Sequence, residues 1–135
     1  MALTDAQQYH TNQVHYLRAN VTFADDGATV SLGWVPEGAL VVGGGVVVAT
    51  AFDSGTSDVL DIGFRNAGDG TTADPDDYAT DLDLTTVGVI VADAIATATG
   101  YHAEGAEITA AYVSAGTAPT AGSAYVWVEY LADNS

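Results

Sequence analysis

The sequence predicts an all-β chain: an antiparallel β-sandwich, jelly-roll-like, with one short helix near residues 75–81. Three observations predict it. Residues 39–63 read as a long β-branched strand, a polar turn and an alternating return strand, the composition that packs on a pleated surface. Seven or eight such short strands follow one another along the chain. Between them, Gly, Pro, Asp and Ser clusters supply turn chemistry about every dozen residues, the spacing of a sandwich or jelly roll.

The elements follow in order. Residues 1–12 read as an N-terminal arm, rich in hydrogen-bonding and amphipathic side chains, and residues 13–23 as the first strand. Ala28–Val35 alternates, with Val30, Leu32 and Trp34 on one face, and Pro36-Glu37-Gly38 turns into the long strand. Within that strand Gly43-Gly44-Gly45 marks a bulge, a bend or a close backbone approach. A tight turn from Asp53 to Asp58 returns the chain through Val59–Phe64, placing Leu60, Ile62 and Phe64 inward and Asp58 and Asp61 at or near the outer surface. Asp74 before Pro75, with Asp76 and Asp77 behind, has the form of a capped helix start. Thr86–Ala92 is a further strand, and Ala106–Val113 with Ser123–Leu131 forms a long hairpin across the loop Ser114–Gly122. The last strand carries large apolar groups on both faces, as a central or intersubunit strand does.

Composition narrows the function. A chain of 135 residues makes one domain, here residues 13–135 behind the arm, and can bury about two-thirds of its unfolded surface. There is no Cys, which excludes disulfides and thiolate chemistry. Acidic residues number 18 against two basic ones, Arg18 and Arg65, for a net charge of −16. Nucleic acid requires a basic footprint, and an anionic membrane surface would repel this chain; neither is an expected partner. The charge is also uneven. Residues 1–23 sum to zero, and the remainder carries all of the excess. The N-terminus lacks a signal-peptide pattern and the apolar stretch 38–52 is short for a membrane span, so a soluble protein made in the cytoplasm is expected.

No catalytic constellation appears. Asp69, Asp74, Asp76, Asp77, Asp81 and Asp83 crowd one loop, but their spacing does not match an EF-hand, and no ordered metal site is expected. His10, His15 and His102 stand in no ligand pattern. Glu104, Glu107 and Glu129 have no spacing that singles out an acid–base pair, and no nucleophile elbow or phosphate loop is present. No cofactor and no enzyme activity are expected. Trp34, Trp127, Tyr101, Tyr112, Tyr125 and Tyr130 would stack on a sugar if a row of them faced outward; core and interface packing is the simpler reading.

Several runs together carry a family resemblance: Pro36-Glu37-Gly38-Ala39, then Val41–Val48 with its three glycines, Thr50–Asp58, Leu60–Gly63, and Ala121–Ala124 before Val126–Tyr130. They resemble small virion proteins of tailed bacteriophages, of the head-decoration or capsid-cement kind, over roughly residues 20–131. The resemblance implies a sandwich that assembles into trimers, less often dimers, on the outer surface of the capsid, bridging neighbouring major capsid protein subunits without catalytic residues. The neutral arm would attach by strand addition or by polar and aromatic contacts. Candidate capsid or subunit contacts are Tyr9, His10, His15, Tyr16, Arg18, Arg65 and Trp127. The alternative is a tail- or fibre-associated virion protein that binds host surface glycans; a glycan-active enzyme using Glu104 or Glu107 is the reading from another class.

Overall fold

The computed structural model describes residues 14–65, 73–95, 98 and 100–132; the expected arm, with Tyr9 and His10, lies outside them. Nine strands form: β1 Val14–Thr22, β2 Thr29–Val35, β3 Ala39–Thr50, β4 Ser57–Arg65, β5 Asp74–Asp83, β6 Gly88–Val91, β7 Tyr101–His102, β8 Ala106–Ala115 and β9 Ser123–Leu131. A five-stranded sheet has the order β1-β9-β3-β6, with β7 also on β3, and a four-stranded sheet has the order β2-β8-β4-β5. Every pairing is antiparallel.

The pairs are nested. β1 pairs β9 from opposite ends of the described chain, β2 pairs β8 inside them, β3 pairs β6 and β7, and β4 pairs β5 innermost. This is a jelly roll, a long folded-over hairpin whose halves lie in two sheets. Its layout corrects two expectations. β3 and β4 are not a hairpin, nor are β8 and β9; each connection crosses from one sheet to the other. The two crossing corners instead bind each other: Gly55 N–H donates to Thr117 O at 2.9 Å, and Asp53 accepts from the Thr120 and Ala121 amides at 2.7 and 2.9 Å. Gly, Asp and Ser shape a corner between sheets as readily as a tight hairpin, because the turn chemistry is local and sheet membership is not.

Residues 75–81 are a strand, not a helix. β5 pairs with β4, placing Leu82 beside Leu60 and Ala79 beside Ile62, and it buries Tyr78, Ala79 and Leu82. Long-range pairing and burial outweigh the local capping signal. Pro75 is compatible because β5 is an edge strand, where a missing N–H is tolerated.

Two residues sit opposite to expectation. A bulge between Ser31 and Gly33 shifts the side-chain alternation of β2, so that Val35 is buried and Trp34 points to solvent. Asp58 is buried, not external: its carboxylate accepts from the Tyr112 hydroxyl at 2.5 Å and the Ser54 amide at 3.0 Å. Leu60, Ile62 and Phe64 face inward as expected, and pack with Val46, Ile108, Tyr112 and Val126 into one core between the sheets.

Buried phenols and surface carboxylates set the pH range of stability. Desolvation, chiefly, raises the Tyr78 and Tyr112 hydroxyls above their ordinary value of 10. In the unfolded chain both ionise near pH 10; in the fold they stay protonated, so their contribution is full below pH 10 and is lost as pH rises beyond it. Asp26, Asp53 and Asp83 are lowered below 3.8 by hydrogen bonds from Ser114, from Thr120 and Ala121, and from Thr85. Their contribution is present above pH 3.8 and fades as pH falls through their folded values. Asp74, raised chiefly by its hydrogen bond with Asp76, acts with the opposite sign. Thermal melts followed by circular dichroism are expected to show a plateau between about pH 5 and 10, with a loss at each end.

Candidate functional site

Among the described residues, the outward face of the five-stranded sheet gathers exposed large apolar side chains from all five of its strands, Val14, Tyr16, Leu40, Val89, Val91, Tyr101 and Leu131. Registered pairing lays it out in rows across β1, β9 and β3 toward β6 and β7. One end row is Val14, Leu131, Leu40 and Tyr101; the next is Tyr16, Glu129 and Gly43. Then come Arg18, Trp127, Gly45 and Val91, and after them Asn20, Tyr125, Val47 and Val89. Tyr16 (68% exposed), Val91 (65%), Val89 (64%) and Tyr101 (61%) stand free in solvent. Isolated exposed apolar residues are ordinary, but a contiguous sheet face of them marks an interaction surface.

The glycine triplet shapes this face. β3 bulges between Val41 and Gly43, as the sequence indicates. A Cβ on Gly45 would overlap the Ile90 carbonyl and come within 2.7 Å of the Trp127 ring; one on Gly43 would meet the Glu129 carboxylate at 3.1 Å. The indole and the carboxylate therefore lie down over bare backbone. Beside them runs an open groove of about 370 Å³ walled by Val14, Tyr16, Arg18, Tyr125 and Trp127.

Charge on the face is sparse and held. The Arg18 guanidinium stacks 3.8 Å from the Tyr125 ring centroid, and Trp127 Nε1 donates to Glu129 Oε1 at 3.3 Å. Among the described strand residues facing outward on this sheet, Arg18 and Glu129 are the charged ones. Tyr, Trp and Arg with few other charges is the composition of interface centres rather than of general surface.

Of the sequence-predicted contacts, the fold brings Tyr16, Arg18 and Trp127 together here. His15 lies on the other side of β1, stacked on Tyr130 at 5.5 Å. Arg65 belongs to the four-stranded sheet, where its Nε donates to Glu107 Oε1 at 2.8 Å. Sequence reasoning passed over Val14, Leu40, Val89, Val91 and Leu131. Their signal was the unbroken apolar run, such as Val87 to Val91, which strands show when both faces are covered.

Among the described residues no three His, Asp or Glu are grouped to hold a metal ion. Glu107 is engaged by Arg65, and Glu104 is exposed on a turn. The arrangement can bury area and hold a neighbour.

No protein-family model matches the chain, and no curated protein matches it. Solved structures do. A chain of the cyanophage Pam1 capsid asymmetric unit aligns with TM-score 0.65 and 17% identity, over 91% of this chain and 87% of that one. A chain of the capsid of Ralstonia phage GP4 gives 0.63 and 22% over 91% and 86%. One from the acidic stable capsid structure of Helicobacter pylori bacteriophage KHP30 gives 0.62 and 14% over 87% and 86%. The fold is shared almost end to end with chains of three phage capsid structures.

Proposed function

We propose that the protein is a structural component of a bacteriophage virion that decorates the outer surface of the capsid and cements neighbouring major capsid protein subunits. The observation that carries the reading is the near-complete match of the jelly roll to chains of three phage capsid structures. A cement protein works by area and rigidity, and two sheets around a continuous core supply both. The excess of acid over the rest of the surface keeps decorated particles dispersed. Attachment is assigned to the neutral N-terminal segment, which leads into β1, an edge strand among the described strands of its sheet.

The test uses heads of the encoding phage stripped of this protein. Full-length protein is expected to co-sediment with them to saturation. A variant lacking residues 1–12 is expected to fold, keep its oligomeric mass and lose at least ~90% of its binding, since strand addition and arm contacts supply the affinity. Full occupancy by the truncated form would refute the arm's role, and absence of the protein from purified virions would refute the reading as a whole. The tail-associated alternative rests on the aromatic groove beside Trp127; binding of labelled protein to host polysaccharide would favour it.

A further inference from the structure

We propose that the outward face of the five-stranded sheet is a homotypic interface, on which two copies of this chain meet face to face about a two-fold axis. The inference goes beyond the virion reading and does not depend on it.

Charge selects the occupant. The chain carries −16, and apposing most parts of two such surfaces brings acid against acid. On this face the charged strand residues are one cation and one anion, Arg18 and Glu129, in adjacent rows amid aliphatic and aromatic side chains. The outer face of the four-stranded sheet, by contrast, adds Asp61 and Asp83 to its Arg65–Glu107 pair and so keeps an excess of acid. A surface holding both partners of an ion pair is self-complementary. In an isologous contact Arg18 of each copy turns to Glu129 of the other, so two reciprocal pairs form from one sequence feature.

Size agrees. Strands β1, β9, β3 and β6, of 9, 9, 12 and 4 residues, spaced ~4.8 Å apart with a rise of ~3.3 Å per residue, give a plan area on the order of 500 Å². Two copies together remove on the order of 1,000 Å² from water, the lower end of specific interfaces. Tyr16, Tyr101, Tyr125 and Trp127 are the residue types that carry binding energy at such centres. Two sheets packed this way lie ~10 Å apart, as within a sandwich. The geometry gives a pair, whereas the family resemblance implies trimers first.

Salt supplies a signature. Body-to-body repulsion between two acidic copies is long-ranged and screened, while apolar burial is not, so the pair should tighten as salt rises from about 0.1 to 1 M.

The experiment is sedimentation equilibrium of the full-length protein up to about 100 μM across that salt range. The expected mass is twice 13.7 kDa, with association stronger at high salt. The double variant Val89→Asp, Val91→Asp, on exposed edge-strand positions, is expected to weaken pairing at least 100-fold while keeping the far-UV circular dichroism of the folded chain. Val113→Asp, comparably exposed on the opposite sheet, is expected to leave the mass unchanged. A wild-type monomer or trimer, or a double variant that still pairs, overturns the proposal. A monomer whose capsid binding is abolished by the Val89 and Val91 substitutions assigns the face to the capsid instead, refuting the pair and leaving the decoration role standing. A salt-strengthened dimer, dissociated by the double variant, that binds no capsid does the reverse.

Discussion

Alanine at Gly63 is expected to destabilise the fold by about 3 kcal/mol, a melting-temperature loss of roughly 10 °C. The cause is space. A Cβ there would overlap the carbonyl oxygen of Asp74 and the carbonyl carbon of Pro75, both backbone atoms, so no side-chain rotation relieves it. Either β5 moves off β4 or the bulge between Ile62 and Phe64 is redrawn, and both disturb the burial of Phe64 and Tyr78. Gly27→Ala is the contrasting case. Nothing lies within 4 Å of a Cβ at Gly27, but its φ is +77°, so the expected cost is the backbone strain of about 1–2 kcal/mol alone. Paired urea titrations separate the two. Equal losses at both positions would show that the approach of Asp74-Pro75 to β4 is not tight.

Gly63 also shows what was legible in the sequence and what was not. Strand existence was legible because period and β-branched content are local: Ser123–Leu131 forms as read, and Leu60, Ile62 and Phe64 alternate inward as read. Partnership was not. Alternation says which face a residue takes, never which strand lies beside it, so two crossings between sheets looked like two hairpins. Segment 74–83 shows the same gap at finer scale, since Asp-Pro-Asp-Asp is a good helix start until β4 offers it a ladder. On the candidate face, Tyr16, Arg18 and Trp127 were legible as candidate contacts by side-chain type, although Trp127 read as readily as core or interface packing. Val89 and Val91 were not, since valine in a strand reads as core whether it faces the core or the solvent.

Replacing Asp58 by Ala is expected to cost about 2–4 kcal/mol, and Tyr112→Phe about 2 kcal/mol. Asp58 was read as external because acids usually are. It is buried because the Tyr112 hydroxyl, reaching it at 2.5 Å, and the Ser54 amide at 3.0 Å hold its carboxylate where β4 begins. Removing the carboxylate leaves a fully buried phenol and the corner amide without their acceptor, at the place where the chain crosses from one sheet to the other. Removing only the hydroxyl leaves the carboxylate one donor from Ser54. Because both changes break the same bond, the double variant is expected to cost less than the two singles together, by about 1–2 kcal/mol of coupling. The phenol also carries a pH signature. Tyr112 is raised above 10 in the fold, so Tyr112→Phe removes one of the two buried groups that resist ionisation, and the loss of stability above pH 10 should become shallower in that variant. Additive single effects together with an unchanged alkaline limb would mean that Asp58 and Tyr112 are neighbours without being partners. The anchor of the β3–β4 corner would then have to be sought in the backbone bonds between Gly55 and Thr117 and between Thr56 and Ala115.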